Sequence, residues 1–235
     1  MRKIEQLRKL GEMRRTDNQQ ELTKKYKQIG DFHGGKCDSW NCVSPWNKAA
    51  GNYDSPIMVI GQDWISEDAA ESSLKSFELG CDPENRTNKT LHKLLLEHFG
   101  LKFSDIYGTN LFVFIKPGAM NSRIPSKDLL YSARKYTLAE IDIVQPKVVI
   151  CLGKAAYDAL CRAIGVKAKD FELSAEHPIR YGCTLIYGVP HTGPLGINNA
   201  GGMEKVWEIW KKMAHQRELA DIVSSKKACP TLRAS

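Results

Sequence analysis

Three features of the sequence predict an α/β fold, a parallel sheet between two layers of helices. Short apolar runs of the kind that fully buried strands show recur as PIMVIG (56–61), IYGTNLFVFI (106–115), KVVICLG (147–153) and TLIYGV (184–189). Between them lie stretches with apolar residues at helical spacing. Strand and helix therefore alternate, which implies a four-stranded parallel sheet with helices on both faces.

The elements follow in order. Residues 1–30 carry Ile4, Leu7, Leu10 and Met13 at roughly helical spacing among many charges, so one or two helices are expected as an N-terminal extension over 1–36. DFHGGKCDSWNCVSPWNKAAGNYDS (31–55) is rich in Gly, Asn, Asp and Pro and reads as a long irregular loop. NKTLHKLLLEHF (88–99) has leucines at helical spacing after an Asn/Thr start. SKDLLYSARKYTLAEIDIVQ (126–145) begins at a Ser cap candidate and must stop before Pro146. KAAYDALCRAIG (154–165) closes on Gly165, and MEKVWEIWKKMAHQ (203–216) is the last long helix. Residues 37–216 form the predicted domain, and 217–235 a tail whose end, SSKKACPTLRAS, reads as disordered.

At 235 residues the chain suffices for one good core and is short for two domains. No run approaches the ~20 apolar residues of a membrane span, and the charged N-terminus is not a secretory signal. A cytoplasmic or nuclear location is the expectation, with the chain working as a monomer. The net charge of +7 suits a polyanion-binding protein. Seven cysteines are an odd number, and Cys151, Cys161 and Cys183 sit in apolar contexts, so no disulfide framework is expected.

In such a sheet, ligands bind at the carboxyl ends of the strands. Gln62, Asp63 and Trp64 stand there after the first strand. Asn110 lies in the second, followed by Lys116, and Lys154 and His191 follow the third and fourth. A carboxylate can hold water or stabilise a cation, an amide can read a planar heterocycle, and an imidazole can stabilise an anion. Singly, each residue has a structural explanation: a helix cap for Asp63, a turn for Asn110, a satisfied loop histidine for His191.

Together the motifs resemble the uracil-DNA glycosylase superfamily. VIGQDW is similar to its first motif, Gly-Gln-Asp-Pro-Tyr in the ubiquitous branch, and HTGPLG (191–196) to its second, His-Pro-Ser-Pro-Leu-Ser. Between them, YGTNLFVFIKPGAMNSRIPSKDLL and AEIDIVQPKVVICLGKAAYDAL are similar in order and spacing to the iron–sulfur bacterial and archaeal branch. The resemblance covers about 37–214. It implies a DNA glycosylase that flips a uracil or related deaminated base and hydrolyses its N-glycosidic bond. By that resemblance Asp63 is the acid that positions water and steadies the sugar cation, and His191 steadies the departing base. The Gln62 backbone, Asn110, Trp64 and Phe77 contact the base, with Phe77 as the stacking aromatic. Thr192, Gly193, Pro194 and Leu195 form the loop whose leucine enters the duplex, and Lys116 and Lys154 add DNA contacts. Trp64 and Ile65 replace Pro and Tyr, which leaves the accepted base open.

Four thiolates are needed for an iron–sulfur cluster. Cys37 and Cys42 stand where the branch has its first pair, with four residues between them rather than two. The other pair falls near Phe114 and Ala133, and Cys81 is a stray third thiol. No metal and no cofactor are expected. Two other functions fit the same residues: a DNA-binding protein of this fold with little or no turnover, and an α/β enzyme acting on a free nucleotide.

Overall fold

The computed structural model of the protein describes residues 1–35 and 43–228. Its helices are α1 (Lys3–Arg15), α2 (Glu67–Ser72), α3 (Leu74–Leu79), α4 (Arg86–Phe99), α5 (Ser126–Ser132), α6 (Leu138–Val144), α7 (Lys154–Ala163), α8 (Phe171–Glu176), α9 (Pro194–Asn199), α10 (Met203–Ala214) and α11 (Arg217–Ala228). The strands are β1 (Ile57–Asp63), β2 (Tyr107–Phe112), β3 (Val148–Leu152), β4 (Ile179–Tyr181) and β5 (Thr184–Val189). The predicted α/β architecture is present, with five strands rather than four, in the order β2-β1-β3-β5-β4. The four expected strands run parallel, and the added β4 pairs antiparallel with β5 at the edge. A three-residue strand leaves too little period to be seen in the sequence.

Alternate residues of each strand enter opposite layers, as the pleat requires. Met58, Ile60, Val149, Cys151 and Ile186 face the layer built by α1, α5, α6 and α7. Ile57, Val59, Ile150, Leu185 and Tyr187 face α4, α8, α10 and α11. Because both faces are covered, the strands are nearly continuous apolar runs. A small third cluster joins Ile29, Phe32, Ile65, Phe77 and Ile115 beside the carboxyl end of β1.

The stretch expected as one helix over 126–145 is continuous through a π-helical turn at Ala133–Thr137. That turn lies against β2, where the Ser132 hydroxyl donates to the Leu111 carbonyl at 2.6 Å. Gln145, with φ 53°, ends the helix before Pro146.

The first 35 residues pack into the main body instead of lying loosely on it. Leu7, Leu10, Leu22 and Tyr26 are buried in the first core layer. Asp17 accepts from the hydroxyls of Tyr131 and Tyr136 and pairs with Lys135, and buried Asp128 accepts from Thr23 and the Tyr26 hydroxyl. Lys27 forms an isolated antiparallel bridge with Ile115, just beyond the end of β2. At the other end, residues expected as a tail from 217 form α11, whose Leu219 and Val223 are buried. Its apolar residues fall among charges, which hid the amphipathic pattern.

Candidate active site

The carboxyl ends of β1, β2, β3 and β5 meet at one edge, and a cavity of about 210 Å³ opens there. An engineered apolar cavity of roughly 150 Å³ takes a benzene ring, so this one has room for a nucleobase. Asp63, Trp64, Asn110 and His191 line it, with Gly61 and Leu152 in its floor. Four of the expected residues, drawn from three different strands and loops, are thereby brought together.

Asp63 ends β1. Its side chain is only 6% exposed, and the 3% exposed Lys116 ammonium lies 2.9 Å from Oδ2. Gln62 Nε2 donates to Oδ1 at 2.7 Å. Lys116 is thus not a surface lysine, contrary to the expectation of a DNA contact. The backbone explains why. After β1 and β2 end, Ser66 and Lys116 still form a parallel bridge, and the Glu67 N–H donates to the Lys116 carbonyl at 2.8 Å. The lysine is therefore carried inward beside β1, where it pairs with Asp63 and donates to the Met120 carbonyl. A buried carboxylate requires such a partner.

Asn110 is paired with Gly61 across the β1–β2 ladder. A Cβ on Gly61 would stand 2.8 Å from Asn110 Nδ2, so glycine is what lets the amide lie over β1. Asn110 Oδ1 accepts from the Ser44 hydroxyl at 2.7 Å.

His191 follows β5. Its Nδ1 accepts the Gly193 N–H at 3.0 Å. That leaves the proton of the neutral ring on Nε2. Burial lowers the His191 pKa, as does the Lys116 ammonium, while Asp63 opposes them. The ring is therefore held neutral, with a single N–H to donate. Gly153, at φ +86°, lets the end of β3 approach the histidine: a Cβ there would lie 3.1 Å from His191 Cβ.

The HTGPLG segment is half loop and half helix. Thr192, expected at DNA, is fully buried and donates to the Thr87 carbonyl at 3.1 Å, so its side chain anchors the segment to α4. Gly193 caps α9 and is also buried, Pro194 is its first residue, and Leu195 is 67% exposed. Lys154 opens α7 on the surface and pairs with Asp158 at 2.8 Å.

Phe77 is not on the cavity wall. Its ring is buried behind Trp64, in edge contact with centroids 4.7 Å apart, and packs on His33 and Phe32. Trp64 occupies the wall, its indole N–H donating to the Gly80 carbonyl at 2.9 Å. Helices α2 and α3, which carry Phe77 inward, are six residues each and have no clear sequence signal. The Gln62 side-chain amide is spent on Asp63, while the expectation for this residue concerned its backbone. Sequence reasoning missed the role of Ser44 and the true place of Lys116; in both cases the partner is far away along the chain.

The positions at which the resemblance placed a second cysteine pair are filled otherwise. Phe114 and Ala133 are buried in the first core layer, and Phe114 makes an edge contact with Tyr136 at 6.0 Å. Cys151 and Cys161 lie in the same layer, where burial pushes both thiols up. Among the described residues no group of His, Cys, Asp or Glu is placed to hold a metal, and Cys37 and Cys42 lie outside them. These residues do not fit a four-thiolate cluster.

The family model described as the uracil DNA glycosylase superfamily matches residues 49–214. Among curated proteins, the chain is 27% identical over 135 residues to a type-4 uracil-DNA glycosylase of Saccharolobus solfataricus, covering 57% of each. It is 24% identical over 121 residues to a type-4 uracil-DNA glycosylase of Archaeoglobus fulgidus, covering 52% of this chain and 55% of that protein. The match thus spans a little over half the length of these curated relatives. Asp63, Asn110 and His191 all fall inside the region matched by the family model, at the strand ends where the motifs predicted them. The chain belongs to the uracil-DNA glycosylase superfamily.

Proposed function

We propose that the protein is a DNA glycosylase that hydrolyses the N-glycosidic bond of uracil, or of a related deaminated base, after flipping it from the stack, leaving an abasic site. One observation carries this reading: a buried carboxylate, an amide and a neutral imidazole line a single cavity of nucleobase size. The names of the two relatives support it.

The chemistry assigns each group a task. Extruding a nucleotide costs a few kcal/mol, and exposed Leu195, four residues after His191, is the side chain to fill the gap left in the duplex. Trp64 gives the flipped base an aromatic wall. The Asn110 amide donates to a base carbonyl. As the bond to the base breaks, positive charge grows on the sugar and negative charge on the base. Asp63 meets the first, as carboxylates do in glycoside hydrolysis, and orients the attacking water. His191 Nε2–H meets the second, a fixed donor in a dry site that needs no reorganisation. No step requires a cofactor, since all these groups belong to the chain. We propose further that it acts as a monomer in a reducing compartment, cytoplasm or nucleus. The free thiols of Cys81, Cys151, Cys161 and Cys183 support such a compartment. No helix among the described residues is long and apolar enough to cross a membrane.

Base release from a uracil-containing oligonucleotide, developed with alkali, tests the reading. Asp63→Asn and His191→Ala should each slow release by orders of magnitude; rates equal to the parent protein in both variants would remove the mechanism. The Asp63–Lys116 pair favours a second reading, binding without turnover, because the ammonium offsets the field the carboxylate exerts on a sugar cation. Salt-sensitive binding of uracil-containing DNA with no released base would select it.

A further inference from the structure

We infer that Ser44 sets base specificity: by holding Asn110 Oδ1, it makes the amide present only donors to the cavity, so that the site accepts bases with a carbonyl at that edge and rejects those with an amino group. This rests on the glycosylase reading above and names its selectivity.

Ser44 and Asn110 are both buried, 1% and 5% exposed. The serine is fixed on its own side. Its N–H donates to Asn47 Oδ1 at 3.2 Å and its Oγ accepts from the Trp46 N–H at 3.3 Å, capping the short turn Pro45–Lys48. Asn47 ties that turn to β2 by donating to the Gly108 carbonyl at 2.7 Å. Position 44 is therefore clamped to the strand that carries Asn110. With the Trp46 N–H already received, the hydroxyl proton of Ser44 has one acceptor among the described residues, Asn110 Oδ1 at 2.7 Å. Turning the amide over would place its NH₂ against Ser44 and leave the buried hydroxyl proton without an acceptor, which is costly. Nδ2 is consequently the end that lies over Gly61 at the cavity floor.

The hydrogen-bond pattern of the bases gives the consequence. Uracil and hypoxanthine offer a carbonyl oxygen where cytosine and adenine offer an amino group. An NH₂ donor meets the first pair and opposes the second, whose own donor would be buried unpaired. Cytosine is the base of greatest concern, since it differs from uracil mainly at this edge. An amide free to rotate could turn Oδ1 toward the cytosine amino group and lose the distinction.

The test uses the full-length protein and four oligonucleotides identical except for uracil, cytosine, hypoxanthine or thymine at one position. Base release and equilibrium binding are both measured for the parent, Ser44→Ala and Ser44→Thr. The inference expects the uracil-to-cytosine ratio of kcat/KM, or of binding affinity, to fall roughly tenfold or more in Ser44→Ala, since a buried donor is no longer left unpaired. Ser44→Thr, which keeps the hydroxyl, should restore most of it. A general loss of packing would lower all four bases together. An unchanged ratio in Ser44→Ala, whatever happens to the absolute rate, overturns the assignment. A parent protein that releases no base would sink the glycosylase reading, and the binding ratio would still decide on Ser44.

Discussion

Lys116→Met tests the least expected feature of the site, the buried pair that sets the state of Asp63. The substitution keeps the length of the side chain and removes its charge. At 2.9 Å the two charges attract by ~6 kcal/mol for an effective dielectric of about 20, against several kcal/mol of desolvation for each ion. The net worth of the pair is thus small, but removing one partner is not, because an uncompensated carboxylate stays buried. Breaking such a pair costs about 3–5 kcal/mol, a large part of a typical domain's total of 5–15. Urea denaturation of Lys116→Met, Asp63→Asn and the double variant, each analysed as two-state, measures it. The single lysine variant should lose about 3–5 kcal/mol, and the double variant should recover most of that, giving a coupling term well above the scatter of independent sites. Base release should fall in Lys116→Met as the carboxylate loses its fixed position. A Lys116→Met protein within ~0.5 kcal/mol of the parent, the range of ordinary surface changes, would refute the claim that this lysine is a buried counter-ion.

Three other outcomes follow from single features. Burial holds His191 neutral, so its charge change should lie below the ordinary histidine value of about 6.5; a ring-proton NMR titration with a midpoint above that would contradict the assignment. Because protonation then favours the unfolded chain, the stability this residue contributes is fully present above pH ~6.5 and declines as the pH falls toward the folded value. Leu195→Ala should cut release from duplex DNA by roughly tenfold while leaving a single-stranded substrate nearly unaffected, since only the duplex has a gap to fill; equal losses on both would assign the leucine to packing. Glu140, fully buried, accepts from the hydroxyls of Tyr107 and Thr109, and burial pushes its carboxyl up to about 8. Keeping it protonated costs stability increasingly between about pH 4.5 and 8, so Glu140→Gln should raise Tm at pH 8, with a gain that shrinks to nothing near pH 4.5. A gain independent of pH would show that the carboxyl is not neutral in the fold.

The sequence made the sheet legible because its strands are buried on both faces and so read as unbroken apolar runs. Asp63, Asn110 and His191 were legible too, for each ends or follows such a run, and an α/β sheet brings those points together. What failed were inferences from residue type alone. Lys116, expected at DNA, is buried instead; its partner lies 53 positions earlier, and no local pattern reveals a backbone that turns it inward. Phe77, expected to stack on the base, is carried behind Trp64 by two short helices. Thr192 looked like part of an exposed loop and is instead the peg that holds that loop to α4.

The amino-terminal segment has a bearing on how little of this chain could stand alone. The family model matches from residue 49, but Tyr26 rests edge-on against Phe112 at 4.8 Å, and Lys27 borders Ile115, the residue next to the lysine that faces Asp63. A chain trimmed to the matched region would uncover the Phe112 ring that Tyr26 now covers and leave the Asp128 carboxylate without the three donors it now accepts from. The closed core of this protein therefore draws on residues that lie ahead of the stretch matched by the family model.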